Sequence, residues 1–123
     1  MEKGLLVSVV DDDESVRESL PGLLRALGFS VNAFSSGEKY LESDAVRITR
    51  CLIVDVSMPG MSGPELGLEL KRKGIETPII FITAHGDAAV RRQLLAGGAV
   101  ECLIKPFSDA DLLNALKAAL PNS

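Results

Sequence analysis

The sequence predicts an α/β fold, an open doubly wound sheet of five parallel strands in the order 2-1-3-4-5 with helices on both faces. Three observations predict it. Five short apolar runs rich in Val and Ile alternate with longer segments of helical period along the 123 residues. The runs are mostly continuous rather than alternating, as strands covered on both faces must be. Five units are also too few to close the usual parallel barrel.

The first strand is expected over Leu5 to Val10. A helix follows, because Val16, Leu20, Leu23, Leu24 and Leu27 recur at helical spacing, with Asp13 placed to cap its start and Gly28 to end it. Pro21 falls inside that helix and should bend it. The second strand spans Ser30 to Phe34, and a second helix runs from Ser36 to about Leu41 or beyond. The third strand is Cys51 to Val54, and the third helix starts at Pro64, a residue preset for a first helical turn, burying Leu66 and Leu70. Pro78 to Ile82 is the fourth strand, and the fourth helix spans roughly Asp87 to Ala96 before Gly97-Gly98. Val100 to Ile104 is the last strand. The fifth helix starts at Ser108, with Asp111 three residues on as in a capping box and Leu112, Leu113, Leu116 and Leu120 inward.

Composition narrows the functional class. At 123 residues, with 46% hydrophobic side chains spread evenly, the whole chain is expected to form a single domain, residues 1–123. A net charge of -4 with scattered Lys and Arg gives no footprint for direct nucleic-acid binding. No apolar run approaches the ~20 residues needed to cross a bilayer, and no secretory pattern opens the chain, so no membrane association and a cytoplasmic address are expected. Cys51 and Cys102 lie far apart inside apolar runs and read as buried thiols.

Open sheets of this kind bind ligands beyond the carboxyl ends of their strands. The residues there are Asp11-Asp12-Asp13 after the first strand, Asp55 after the third, Thr83 after the fourth and Lys105 after the fifth. With the first and third strands adjacent, the acidic cluster and Asp55 share one rim. Crowded carboxylates are relieved by protonation or by a hard cation, and Mg2+ fits best because it takes oxygen ligands and keeps waters and phosphate oxygens. Lys105 adds positive charge and Thr83 a hydroxyl donor, so the rim suits phosphoryl chemistry. Each residue also has an ordinary role open to it. Asp13 can cap the following helix, Asp55 can belong to the turn before Pro59-Gly60, Thr83 can be a loop hydroxyl and Lys105 a solvated ammonium.

Five stretches carry a resemblance that covers nearly the whole chain. They are Val9-Val10-Asp11-Asp12, the block from Asp55-Val56-Ser57-Met58-Pro59-Gly60 to Met61-Ser62-Gly63, Phe81-Ile82-Thr83-Ala84, Gly97-Gly98-Ala99 and Lys105-Pro106-Phe107. In these the sequence resembles the receiver domain of bacterial two-component response regulators, with the CheY-like fold. The turn after Asp55, the Thr83-Ala84-His85-Gly86-Asp87 run and the segment from Ala99 to Phe107 are most similar to FixJ-type regulators.

The resemblance implies that Asp55 is the phosphoacceptor for a sensor histidine kinase. It implies that Asp12, Asp55 and the backbone carbonyl of Ser57 bind Mg2+, with Asp11 assisting through water. Lys105 would pair with Asp55 and then with phosphoryl oxygens, while the Thr83 hydroxyl and the Ala84 amide would contact the phosphoryl group. Lys105-Pro106 would be a cis bond, with Pro106 in a tight turn. Ser57 and His85 would tune the lifetime of the phosphoryl group. The domain would not be an enzyme in the usual sense, although it would assist its own phosphorylation and dephosphorylation.

One position departs from the family pattern. An aromatic usually stands three residues before the lysine and rotates inward on phosphorylation, and here that position is Cys102. Either that relay is muted or the signal travels through the fourth helix and its preceding loop. The fourth helix, fifth strand and fifth helix form the family's usual dimer or output face, so a phosphorylation-dependent homodimer is implied, with Val90, Leu94, Val100 and Phe107 as candidates unless they are core. FixJ-type proteins carry a DNA-binding helix-turn-helix domain after the receiver. This sequence ends at Pro121-Asn122-Ser123, so transcriptional control would run through an output domain outside it, unless it is a stand-alone receiver.

Two competing readings remain. A haloacid-dehalogenase-type phosphatase would use Asp11 and Asp13 with Thr83 and Lys105, but it would leave Asp55 without a role. A receiver-shaped docking module would never accept phosphate, yet all acceptor-site residues are present.

Overall fold

A computed structural model describes residues 4–86 and 88–120. The strands β1 (Leu6–Val10), β2 (Ser30–Phe34), β3 (Cys51–Asp55), β4 (Ile79–Thr83) and β5 (Glu101–Ile104) form one parallel sheet in the order β2-β1-β3-β4-β5. They alternate with α1 (Glu14–Ala26), α2 (Gly37–Glu42), α3 (Gly63–Arg72), α4 (Ala88–Ala96) and α5 (Asp109–Ala119). The predicted fold class and strand order are both observed. A short 3-10 turn, Asp44–Arg47, was not expected and is capped by the Ser43 hydroxyl.

Successive strand residues point to opposite faces, which builds two cores. On one face Val7, Val9, Ile53, Ile80 and Ile82 meet Leu20 and Leu24 of α1 and Leu112 and Leu116 of α5. On the other, Val10, Leu52, Val54 and Phe81 meet Tyr40 of α2 and Leu66 and Leu70 of α3. Burying a leucine such as Leu24 or Leu116 completely contributes roughly 1.5–3 kcal/mol. α4 is the exception, for none of its described residues is buried. Cys51 and Cys102 are buried free thiols, one in each core, as expected.

Helix ends follow the sequence signals, with small shifts. Asp13 caps α1 by accepting from the Ser15 amide at 2.9 Å. The helix continues through the buried Pro21, which removes one backbone donor without ending it. Ser36 is the N-cap of α2 rather than its first residue, and Ser108 caps α5 through the Asp111 amide at 3.0 Å. α3 starts at Gly63, one residue before Pro64, because Ser62 and Glu65 form a reciprocal capping box with bonds of 3.2 and 3.0 Å. Asp87, the expected start of the fourth helix, lies outside the described residues, as do Pro121, Asn122 and Ser123.

Candidate functional site

Strand register assembles the rim. Val10 pairs with Val54 across β1 and β3, so the next residues, Asp11 and Asp55, come side by side. Across β4 and β5 Thr83 pairs with Ile104, which sets Lys105 at the same level, its amide donating to the Thr83 carbonyl at 2.8 Å. Asp55 and Thr83 are the final residues of their strands rather than the first residues after them. The chain then turns back so tightly that α3 begins against Asp55. A methyl group built on Gly63 would overlap the Asp55 carbonyl oxygen and stand 3.2 Å from the Phe81 ring.

The result is a buried acidic site with one ammonium in it. Asp11, Asp55 and Thr83 are all buried, Asp11 completely, while Asp12 is exposed. Lys105 Nζ donates to Asp11 Oδ2 at 2.9 Å and to Asp55 Oδ2 at 3.3 Å. Asp11 Oδ1 accepts from the Asp13 amide at 2.9 Å, and Arg17 Nη1 fixes the Asp11 carbonyl at 2.8 Å. Asp55 Oδ1 accepts from the Ser57 amide at 3.2 Å. Asp11, Asp12 and Asp55 each offer an oxygen, all within 4.8 Å of one another.

Electrostatics explain what such a cluster wants. Burial, and then the facing charge of Asp11, hold the Asp55 carboxyl above its ordinary range, against the pull of the Ser57 amide and Lys105. Burial by itself would lower the Lys105 ammonium, but its bonds and charge pairing with Asp11 and Asp55 outweigh that and leave it raised. Three carboxylates against one ammonium leave the site short of positive charge. This is a donor set that fits a small, hard divalent cation.

The other expected residues are distributed around this centre. The Thr83 hydroxyl accepts from the His85 amide and donates to the His85 carbonyl, both at 3.2 Å, while Ala84 and His85 are exposed in the loop. Ser57 is exposed beside Asp55, and Lys105-Pro106 is cis. Asp13 takes the capping role, leaving Asp11 and Asp12 to face the site. Cys102 is buried beside a cavity of about 200 Å³ that Thr83, Val90 and Ile104 also line. The four candidate face residues are only half-buried. Leu94 packs against the core of α2 and α3, while Val100 and Phe107 pack against that of α1 and α5. Sequence reading missed Ile104, an apolar residue 50% exposed at the sheet edge, and the Arg17 tether. No described helix is long and apolar enough to cross a membrane.

Residues 7–117 match the family described as the response regulator receiver domain. Nodulation protein W of Bradyrhizobium diazoefficiens is 47% identical over 114 residues, 93% of this chain and 50% of that protein. The transcriptional regulatory protein FixJ of Azorhizobium caulinodans is 39% identical over 123 residues, 100% of this chain and 58% of that protein. The crystal structure of FixJ-N superposes with a TM-score of 0.84 at 38% identity, covering 97% of this chain and 94% of that one. The chain spans about half the length of the curated relatives it matches.

Proposed function

The chain belongs to the response regulator receiver family, and from that premise we propose that it is a phosphorylation switch whose acceptor is Asp55. The observation that carries this reading is the buried Asp55 carboxylate, clustered with Asp11 and Asp12 and paired with Lys105. The phosphoryl donor is a sensor histidine kinase. The Asp55 oxygen forms a bond to phosphorus as the bond to the donor nitrogen breaks, in line.

Each neighbour has a role in that transfer. Asp12, Asp55 and the Ser57 carbonyl would hold Mg2+, with Asp11 acting through water, and the ion would supply charge neutralisation for the phosphoryl oxygens. Lys105 neutralises the same charge from the other side. The Thr83 hydroxyl exchanges its bonds to His85 for a phosphoryl oxygen, and the exposed Ala84 amide provides a further donor. His85 and Ser57, exposed at the mouth, tune how readily water reaches the phosphoryl group. The domain is a signalling module that assists its own phosphorylation and dephosphorylation, not an enzyme acting on a separate substrate.

The output is phosphorylation-dependent homodimerisation through α4, β5 and α5, acting in the cytoplasm on transcription through an output domain beyond this sequence. The family membership, and relatives named as transcriptional regulators, support this reading. Intact mass after incubation with Mg2+ and acetyl phosphate or phosphoramidate tests it. An adduct of about 80 daltons that needs Mg2+ and is lost in Asp55→Asn is expected. Absence of the adduct from a folded chain would favour a docking module, whereas turnover of a phosphomonoester would favour a phosphatase.

A further inference from the structure

The loop after β4 and the edge strand β5 meet at one side chain. Ile104 ends β5, pairs in register with Thr83 and precedes Lys105, so it neighbours two residues of the site. Its own side chain is 50% exposed. It also lies directly on Gly86, where an added methyl group would overlap Ile104 Cδ1 and stand 2.7 Å from Cγ1. Gly86 follows His85, whose backbone amide and carbonyl are both held by the Thr83 hydroxyl.

Cys102 sits two residues earlier on the same face of β5 and presents only a small side chain there. It is buried, and beside it the cavity of about 200 Å³ opens between β5 and Val90 of α4. α4 buries none of its described residues and is tied to β5 by the partly exposed Arg91–Glu101 pair at 2.6 Å. Such a pair is a weak tether.

We propose that Ile104 is the positioning residue that couples the acceptor site to α4. The proposal rests on the phosphorylation switch argued above. When Thr83 leaves His85 for a phosphoryl oxygen, the loop carrying Gly86 is freed. Ile104 packs directly on Gly86, so movement of the loop changes the seat of this side chain, and the adjacent cavity gives it room to repack. α4 follows because its anchors are only half-buried, Val90 at the cavity and Leu94 against the core of α2 and α3.

Amide NMR spectra of the ¹⁵N-labelled chain with Mg2+ and beryllofluoride test this. The Ser57 amide reports on the site, and the Leu94 and Leu95 amides report on α4. In the native chain both sets are expected to shift. Ile104→Ala should keep the Ser57 shift while the α4 shifts fall by about half or more. Cys102→Ala should keep both. Gly86→Ala, which pushes Ile104 off its seat, should move the α4 amides without beryllofluoride.

Full α4 shifts in Ile104→Ala, loss of them in Cys102→Ala, or an unmoved α4 in Gly86→Ala would each overturn the proposal. So would a native chain in which Ser57 responds and α4 does not. No Ser57 response in the native chain would instead remove the phosphorylation switch, and the coupling with it.

Discussion

Lys105 Nζ stands nearer to Asp11 than to Asp55, at 2.9 Å against 3.3 Å. The lysine therefore serves first as the counter-ion of a carboxylate that has no contact with solvent. Removing it strands the Asp11 charge beside Asp55. Lys105→Met should lower the unfolding free energy of the metal-free protein by about 1–3 kcal/mol, because an unpaired buried charge is costly. Mg2+ should restore much of that loss. Urea unfolding with and without Mg2+ measures both effects, and a metal-free variant as stable as the native chain would show that the pairing contributes nothing.

Asp55 predicts a pH dependence of the opposite sign to that of most carboxylates. Burial and the charge of Asp11 raise its folded value, so the folded state binds the proton more tightly than the unfolded chain does. Ionised Asp55 therefore opposes folding at neutral pH. Stability gains from this group as pH falls from the raised value toward the ordinary 3.8. Asp55→Asn should raise the metal-free Tm at pH 7 by a few degrees, flatten this part of the pH profile, and weaken the stabilisation that Mg2+ gives. Thermal unfolding of both proteins from pH 7 to pH 5 tests it, and a variant less stable at pH 7 would contradict it.

These two side chains also show how far the sequence could be read. Strand periodicity and the rule for ligands at carboxyl strand ends located Asp11, Asp55, Thr83 and Lys105 on one rim. The rule could not say that Lys105 leans toward Asp11, because that depends on side-chain geometry among residues 50 and 94 positions apart. Pro64 marks a first helical turn and places the start of α3 only to within one residue, because the Ser62 to Glu65 capping box sets it at Gly63. Ile104 was read as one more apolar strand residue. Its exposure follows from β5 lying at the sheet edge beside a helix with no buried residue, which local sequence does not encode.

Two glycines should respond to alanine in opposite directions. At Gly63 the added methyl group meets the backbone of Asp55, with the carbonyl carbon only 3.1 Å away, and backbone cannot step aside as a flexible side chain would. Gly63→Ala should destabilise by about 1–3 kcal/mol or more. Gly22, exposed inside α1, has nothing within 4 Å of the added carbon. Gly22→Ala should stabilise by about 0.5–1 kcal/mol, since alanine loses less backbone freedom in a helix. Denaturant midpoints at constant slope measure both, and a tolerated Gly63→Ala would mean that α3 does not seat against Asp55 this closely.

The two thiols should be inert in the folded chain, and unequal. Cys51 has no exposed surface, and burial pushes its thiol up to about 12, so very little of it is the reactive thiolate at pH 8. Cys102 is also raised, chiefly by burial, but it borders the cavity beside α4 and is 5% exposed. They belong to cores on opposite faces of the sheet, so they cannot pair within one chain without unfolding it. With a thiol-specific reagent at pH 8, both should react at once in denaturant. In the native chain Cys102 should react slowly and Cys51 only through global opening, at a rate that falls as the protein is stabilised. Faster labelling of Cys51 than of Cys102 would contradict the packing of β3 between the two helical layers.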